Sequence, residues 1–233
     1  MIEATPGVVL AVYAHPDDAD VGCGGTLARW AKGGSAVHLI VCTDGGKGTS
    51  DPGTKPKKLA AERADELEAS SVLIGLASVG NLGFPDGELT DSDQFRKTLV
   101  ARVRELRPDV VCGHDPTAVF FGQDYFNHRD HRIAGLALLD AVAPAAALPH
   151  YFPDAGPPHR VSTVLLSGTL EPDDWVDVSD TIETKAEAVE CHRSQFAGQE
   201  GWAGEAVRRR AAEEGRRAGV AYAEGFRRLS LGG

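Results

Sequence analysis

Short apolar runs alternate with longer amphipathic stretches along most of the 233-residue chain, and this order constrains the fold more than any other feature. The run Val8–Tyr13 is unbroken and rich in valine, as expected of a strand that is buried on both faces. Comparable runs at 36–42 and 109–112 are separated by segments with helical periodicity. Strands that alternate with helices in this way form parallel sheets covered on both sides. We therefore predict an α/β fold, a single-domain, Rossmann-like three-layer sandwich with a mostly parallel sheet over residues 1–233.

The remaining elements follow from the same periodicity and from residues that begin or end helices. We predict further helices at 26–32, 57–75, 91–107, 131–142 and 181–192, and further strands at 77–82 and 161–166. The Pro-rich stretch 143–159 is predicted to be a loop rather than a domain linker, because a strand and a helix still follow it. The charged tail is predicted to form one long helix, at about 203–229, that packs on the domain.

The net charge and the cysteine pattern exclude several classes of function. A formal charge of −10 argues against a general affinity for nucleic acid or for an anionic membrane, because both attract basic surfaces. No apolar stretch approaches the ~20 residues of a membrane span, and the start of the chain lacks the positive region of a signal peptide. The four cysteines lie far apart, which is typical of reduced thiols. We therefore expect a cytoplasmic protein that binds neither nucleic acid nor membrane.

Acidic residues crowd the point where the first buried run ends. In AHPDDAD, His15 is followed by Asp17, Asp18 and Asp20. Ligands of open parallel sheets bind beyond the carboxyl ends of the strands, and carboxylates crowded there repel one another unless a cation joins them. His15 and Asp18 can face one centre while Asp17 projects elsewhere. A single aspartate could equally cap the helix that begins near Val21, but the whole cluster favours a metal site.

A second segment has the composition of a metal site. NHRDHR, residues 127–132, places His128 and His131 close together with Asp130 between them, after another strand of the predicted sheet. Two histidines and one carboxylate leave an open position for water on a divalent ion, which is the arrangement of hydrolytic zinc enzymes. The same donors would also hold Fe²⁺ for oxygen chemistry. The extra carboxylate of Asp17 favours hydrolysis, because a general base is useful there.

Several motifs together resemble one known family. They are AHPDDADVGCGGTLARW, VCTDGGKG, ERADEL, NLGFPDGEL, NHRDH and CHRSQ. In order and separation they are similar to the PIG-L/LmbE family of metal-dependent N-acetylglucosaminyl deacetylases, over about residues 7–196. The resemblance implies one LmbE-like deacetylase domain, a zinc ion with Fe²⁺ or another divalent ion as alternatives, and an amino-sugar small molecule as substrate. Since related proteins are commonly oligomeric, it also allows a homo-oligomer.

The resemblance implies three zinc ligands and three catalytic residues. The implied zinc ligands are His15, Asp18 and His131. Asp17 would be the general base that takes a proton from the attacking water. His128 would stabilise the oxyanion in its protonated form, or donate a proton to the leaving amine. Asp130 would orient His128 and keep it basic.

Two further residues match positions near the substrate in relatives, and each has a simpler alternative. Arg63 would lie near polar groups of the substrate, or else pair with Glu62 or Glu66 on a solvated helix face. Asp86 would lie near sugar hydroxyls, or else be an ordinary turn residue in FPDG. Asp20 stands where the family usually has a longer glutamate.

Two more residues keep alternative interpretations. Lys47 could meet an anionic group of the substrate, although a solvated lysine is the better expectation. His192, in CHRSQ, could border the site or cap a helix end. The glycines of GCGGT (22–26) lack the spacing of a dinucleotide-binding loop and are expected to let a helix approach the metal site closely.

The sequence thus predicts a hydrolase that removes the N-acetyl group from an N-acetylglucosamine-containing small molecule by zinc-activated water. An amidase of a thiol conjugate and a deacylase of an antibiotic sugar are alternatives within the enzymes. A non-catalytic metal- or ligand-binding module is the alternative from another class. Specificity is predicted to depend on the loops at 47–56, 114–127 and 143–159.

Overall fold

The computed structural model describes residues 1–196, 198–199 and 201–231. The strands within them are Val8–Tyr13 (β1), Ala36–Thr43 (β2), Ser78–Phe84 (β3), Val110–His114 (β4), Phe120–Phe121 (β5), Tyr125–Phe126 (β6), Thr163–Ser167 (β7), Asp174–Asp177 (β8) and Ala223–Ser230 (β9). The α-helices are Asp18–Lys32 (α1), Pro56–Ile74 (α2), Asp93–Leu106 (α3), Arg129–Asp140 (α4), Ile182–Glu190 (α5), Arg193–Phe196 (α6) and Trp202–Ala218 (α7).

Seven strands form a central sheet in the order β3-β2-β1-β4-β7-β9-β8. β1 lies parallel between β2 and β4, and β3 and β7 extend the parallel part on either side. β9 runs antiparallel between β7 and β8. The predicted α/β fold with a mostly parallel sheet is confirmed. Because the chain moves away from β1 in opposite directions through β2 and β4, a topological switch point lies at the carboxyl ends of β1 and β4, called here the carboxyl edge.

Successive side chains of β1 point into two different cores. Val9, Ala11 and Tyr13 pack with residues from α1, α2, α5 and α7. Leu10 and Val12 pack with residues from α3 and α4 on the opposite face. Since side chains alternate along a strand, burial of both faces requires apolar residues at every position, which explains the unbroken run. The sheet and its two helical layers form the predicted three-layer sandwich.

The prediction of one helix over 203–229 is wrong. α7 ends at Ala218, and Gly219 adopts a left-handed conformation with a φ of 77°. Glycine commonly ends helices in this way because it has no Cβ to clash. The chain then returns as β9, in which Glu224 and Phe226 are both buried on one side of the strand. Contacts with β7 and β8 therefore override the helical pattern of charges in this segment.

Two local differences from the predicted elements affect the carboxyl edge. α1 begins at Asp18 rather than at Thr26, and Cys23 interrupts it with non-helical dihedral angles. The loop predicted after β4 contains the antiparallel hairpin β5-β6. Both features bring additional side chains to the end of β1. Among the described residues, no helix combines the length and the apolar character needed to cross a membrane.

Candidate metal centre

The predicted metal ligands meet at the carboxyl edge because neighbouring parallel strands end there. His15 follows β1, and Asp18 is the first residue of α1. His131 lies in the first turn of α4, whose preceding segment returns from the end of β4. β1 and β4 are adjacent in the sheet, so residues that are far apart in sequence become neighbours.

Donor atoms of His15, Asp18 and His131 (the donor set) lie at about the spacing of ligands around a single ion, with one carboxylate oxygen of Asp18 near each histidine. His15 Nδ1 is 3.1 Å from His131 Nε2 and 3.2 Å from Asp18 Oδ2. His131 Nε2 is 3.1 Å from Asp18 Oδ1. Tetrahedral zinc with bonds of about 2.0–2.1 Å separates its ligand atoms by roughly 3.3 Å. The donors therefore fit a divalent ion and leave a fourth position open.

The surroundings of His15 favour a positive charge. Its Nε2 lies 3.1 Å from Asp86 Oδ1 and 3.6 Å from Asp130 Oδ2. Burial opposes an imidazolium, yet Asp18, Asp130 and Asp86 together raise the pKa of His15 to about 12. A divalent cation at Nδ1 would supply that positive charge in place of a proton. With Nδ1 as ligand, the Nε2–H donates to carboxylate, a common arrangement that orients metal-bound histidines.

His131 is oriented by a residue that sequence reasoning did not assign. Its Nδ1 lies 3.0 Å from Oδ1 of Asn127, which is buried. The amide of Asn127 in turn donates to the carbonyl of Ala118 over 2.8 Å. Because the amide nitrogen is committed to Ala118, Oδ1 is left to accept the Nδ1–H of His131, so that Nε2 faces the donor set as the free acceptor. Asn127 is the first residue of the NHRDHR segment, and this position next to the predicted ligands could have identified it from the sequence.

His114 is a further histidine at the centre that the sequence analysis missed. Its Nε2 lies 3.2 Å from Asp18 Oδ2, and its ring stacks on that of His131 with centroids 4.1 Å apart. Burial lowers the pKa of His114 to about 4, although Asp18 acts in the opposite direction. Asp18, His114 and His131 could also hold an ion together. The position of His114 at the end of β4 was a usable signal, because ligands gather at strand ends.

Asp17, the predicted base, is held by Arg63. Arg63 Nη2 donates to Asp17 Oδ1 over 2.6 Å, and Nη1 donates to the carbonyl of Gly45 over 3.0 Å. The alternative of a solvated pair with Glu62 or Glu66 is wrong, because Arg63 is only 2% exposed. Asp17 Oδ2 has no hydrogen-bond partner within the described part of the chain, so it is available to accept a proton.

The predicted support of His128 by the Asp130 carboxylate is also corrected. That carboxylate accepts hydrogen bonds from the backbone of Gly87 over 2.7 Å and Leu89 over 3.2 Å. The contact between the two residues is instead from the Asp130 backbone N–H to His128 Nδ1, at 3.2 Å. Since Nδ1 accepts, the neutral ring carries its proton on Nε2. Burial, with the positive charge of nearby His15, lowers the pKa of His128, whereas the negative charge of Asp130 acts in the opposite direction, as its predicted role requires.

Asp86 supports His15 instead of standing free for a sugar hydroxyl. Besides its contact with His15, its Oδ2 accepts a hydrogen bond from the backbone of Lys47 over 3.0 Å. Burial raises the pKa of Asp86, but the hydrogen bond and charge of His15 outweigh it and lower that pKa to about 2. Lys47 Nζ is occupied by the carbonyl of Asp86 and by Glu88. His192 is fully buried and pairs with Asp20 over 2.7 Å, so it does not line an open site.

A cavity of about 310 Å³ opens beside the donor set. Its lining includes Asp18 and His131, Phe121 and Tyr125 of the hairpin β5-β6, and Arg210 of α7. A volume of this size is at the lower end of the range found for small-molecule sites, ~300–1,000 Å³. Two of the predicted ion ligands, Asp18 and His131, therefore border a space that could admit an organic ligand.

Several known proteins are similar to this chain in sequence. A family model described as GlcNAc-PI de-N-acetylase, PIG-L, matches residues 10–142. A diacetylchitobiose deacetylase from Thermococcus kodakarensis is 36% identical over 225 residues, which cover 94% of this chain and 82% of that protein. A 1D-myo-inositol 2-acetamido-2-deoxy-alpha-D-glucopyranoside deacetylase from Rhodococcus jostii is 29% identical over an alignment that covers 80% of this chain and 81% of that protein.

A solved structure shares the fold over nearly the whole chain. It is the N,N'-diacetylchitobiose deacetylase from Pyrococcus horikoshii, complexed with its inhibitor MPG. The two folds superpose with a TM-score of 0.88 at 33% identity. The match covers 97% of this chain and 84% of that one. The similarity therefore includes α5, α7 and β9, which lie beyond the span of the family model.

Proposed function

The chain belongs to the PIG-L family, and from this membership and the geometry of the centre we propose that it is a metal-dependent deacetylase of an N-acetylglucosamine-containing small molecule. The reaction is hydrolysis of a linear amide, which releases acetate and the free amine. Two relatives are named for substrates in which an acetylated glucosamine is joined to a second ring, a sugar in one and an inositol in the other. A substrate of this two-ring class is proposed for this chain.

The observation that carries the proposal is the convergence of the donor set, in which the ligand Asp18 directly follows the carboxylate of Asp17 in the chain. His15 Nδ1 and His131 Nε2 lie 3.1 Å apart, and each lies 3.1–3.2 Å from one of the two carboxylate oxygens of Asp18. A module that only binds a ligand has no need of the adjoining base, whose Oδ2 is free of partners among the described residues. Zinc is the proposed ion, because two imidazoles and one carboxylate with an open fourth position are typical of catalytic zinc. When bound, such an ion lowers the pKa of water and polarises an acyl oxygen.

Two side chains of this protein would handle the protons of the reaction. Asp17 accepts a proton from the attacking water, and Arg63 fixes its orientation through Oδ1. His128 lies beside the donor set, with its ring centroid 4.7 Å from that of His15. Its Nε2–H is proposed to donate a hydrogen bond to the oxygen that becomes negative, and the proton that Asp17 has accepted from water then passes to the departing nitrogen. His128 thus acts from the neutral imidazole, because its Nδ1 is occupied by a backbone N–H.

Variants of the proposed base and of a proposed metal ligand test the two parts of the proposal separately. Purified, zinc-loaded protein should release acetate from N,N'-diacetylchitobiose, and a chelator should abolish this release. Asp17→Asn should retain one metal ion per chain and lose about 10²–10⁴-fold in kcat. His131→Ala should lose the ion itself. His150→Ala, at an exposed loop histidine, is the matched control and should change neither quantity.

Each assignment has its own contradicting result. Full activity in Asp17→Asn would exclude this residue as the base. Undiminished metal content in His131→Ala would exclude it as a ligand. If the zinc-loaded protein bound N-acetylated sugars without releasing acetate, the chain would be a binding module instead of an enzyme.

A further inference from the structure

We infer that the cavity beside the donor set is a subsite for the second ring of the substrate, formed by one face of the hairpin β5-β6 together with Arg210. This inference rests on the proposed function and extends it to the part of the substrate that is not hydrolysed. The cavity is continuous from Asp18 and His131 to Tyr125 and Arg210. A ligand that occupies it therefore reaches the donor set at one end.

The hairpin presents two aromatic pairs on opposite faces. Its register pairs Phe120 with Phe126 and Phe121 with Tyr125. Side chains alternate between the faces of a strand, so the two pairs point in opposite directions. Phe121 and Tyr125 line the cavity, with ring centroids 5.7 Å apart. Phe120 and Phe126 are not among the residues that line the cavity and are 70% and 68% exposed.

The inner pair offers the kind of surface that a sugar or cyclitol ring uses. Such rings have faces of C–H groups and edges of hydroxyl groups, so they combine an apolar contact with hydrogen bonds. Aromatic side chains supply large apolar contact area, and tyrosine adds a polar hydroxyl at its end. A two-stranded hairpin with exposed phenylalanines gains little for folding, whereas its inner face completes a wall of the cavity.

Arg210 supplies hydrogen-bond donors to the lining of the cavity. It is exposed, and no ion-pair partner is found for it among the residues that the structure describes. On the same helix, Arg208 pairs with Glu183 and Arg217 pairs with Glu214. The guanidinium of Arg210 is thus free to donate to hydroxyl oxygens of a ligand. Arg210 and the hairpin line the same cavity although they belong to separate parts of the chain. Together they favour a ligand that has an apolar ring face and several hydroxyl groups.

The test compares two substrates on matched variants. N,N'-diacetylchitobiose has two rings, and N-acetylglucosamine has only the ring that is hydrolysed. Arg210→Gln and Tyr125→Ala should each lower kcat/KM for diacetylchitobiose about tenfold and leave that for N-acetylglucosamine within about twofold. The controls are Arg209→Gln, the neighbouring exposed arginine, and Phe126→Ala, on the outer face of the same hairpin. Both should leave the two substrates unaffected.

The outcomes separate this inference from the proposed function. Equal losses for both substrates, or equal losses in the control variants, would overturn the subsite. A wild-type protein that turned over the two substrates with similar kcat/KM would also overturn it, since the second ring would then make no productive contact. Acetate release from neither substrate by the zinc-loaded wild type would overturn the proposed function instead.

Discussion

The carboxyl edge and the loop at 145–156 both contain buried charged groups, but these groups have different hydrogen-bond partners in the two regions. In the loop, the guanidinium of Arg104 is 2% exposed and donates only to backbone carbonyls. Its acceptors are the carbonyls of Ala145, Ala146, Leu148, Tyr151, Phe152 and Gly156. At the carboxyl edge, in contrast, His15 Nδ1 and His131 Nε2 face each other at 3.1 Å.

This difference in hydrogen-bond partners distinguishes the charge of Arg104, which stabilises the fold, from the charged groups at the carboxyl edge, which are proposed to act in function. Arg104 holds the irregular loop at 145–156 against α3, and its guanidinium N–H groups are all engaged in hydrogen bonds to that loop. The edge gathers Asp17, Asp18, Asp86 and Asp130 around imidazoles, with Arg63 as the one arginine bonded to them among the described residues. An excess of acceptors is costly in an interior unless a cation joins it. The polar groups of the loop are therefore paired within the protein, whereas the edge has a cluster of donors that could hold an ion.

Removal of the Arg104 guanidinium should have the largest effect on stability. Arg104→Met keeps much of the buried aliphatic stem but removes a hydrogen-bond donor from six carbonyls, of which those of Ala146, Leu148 and Phe152 still accept a backbone N–H. We expect the free energy of unfolding to fall by about 4 kcal/mol. Urea denaturation of the zinc-loaded protein measures it, and kcat of the folded fraction should stay unchanged. A loss below about 1 kcal/mol would show that the loop does not depend on this residue.

Removal of the support of His131 should affect the ion more than the fold. Asn127→Ala leaves the Nδ1–H of His131 without its acceptor, so the ring is no longer held with Nε2 towards the ion. We expect a 10–100-fold loss of zinc affinity, measured by competition with a chromophoric chelator. Asn81→Ala is the matched control, because Asn81 also donates to a backbone carbonyl but lies on β3. Equal zinc affinity in the two variants would remove Asn127 from the centre.

The smallest effect is expected at an exposed ion pair that joins the same helix and loop as Arg104. Lys97 Nζ lies 2.8 Å from Asp154 Oδ2, and both side chains are largely solvated. Lys97→Ala should change the free energy of unfolding by less than about 1 kcal/mol, because solvent already screens the pair. Thermal unfolding alongside Arg104→Met measures the difference. Comparable losses in the two variants would mean that burial is not what distinguishes them.

Local patterns were sufficient for most of the parallel part of the sheet. The sequence runs that form β1, β2 and β4 are apolar because both faces of these strands are covered. Their composition alone therefore predicts strands in the interior of the sheet. The prediction for the tail was wrong because the helix end at Gly219 and the burial of Glu224 depend on contacts with strands that are distant in sequence. His114 and Asn127 were missed for a similar reason, since neither belongs to the crowded acidic segment after β1.

The sequence by itself determined the α/β class, the family and most of the residues that gather at the candidate metal centre, although not His114. These depend on hydrophobic periodicity and on short motifs, both of which are local along the chain. Only the tertiary structure decided which atoms pair: Asp130 with the backbone of Gly87 instead of the His128 ring, and Arg63 with Asp17 instead of a neighbouring glutamate. Such pairings depend on ångström distances between groups far apart in sequence, which exist only after β1 and β4 lie side by side.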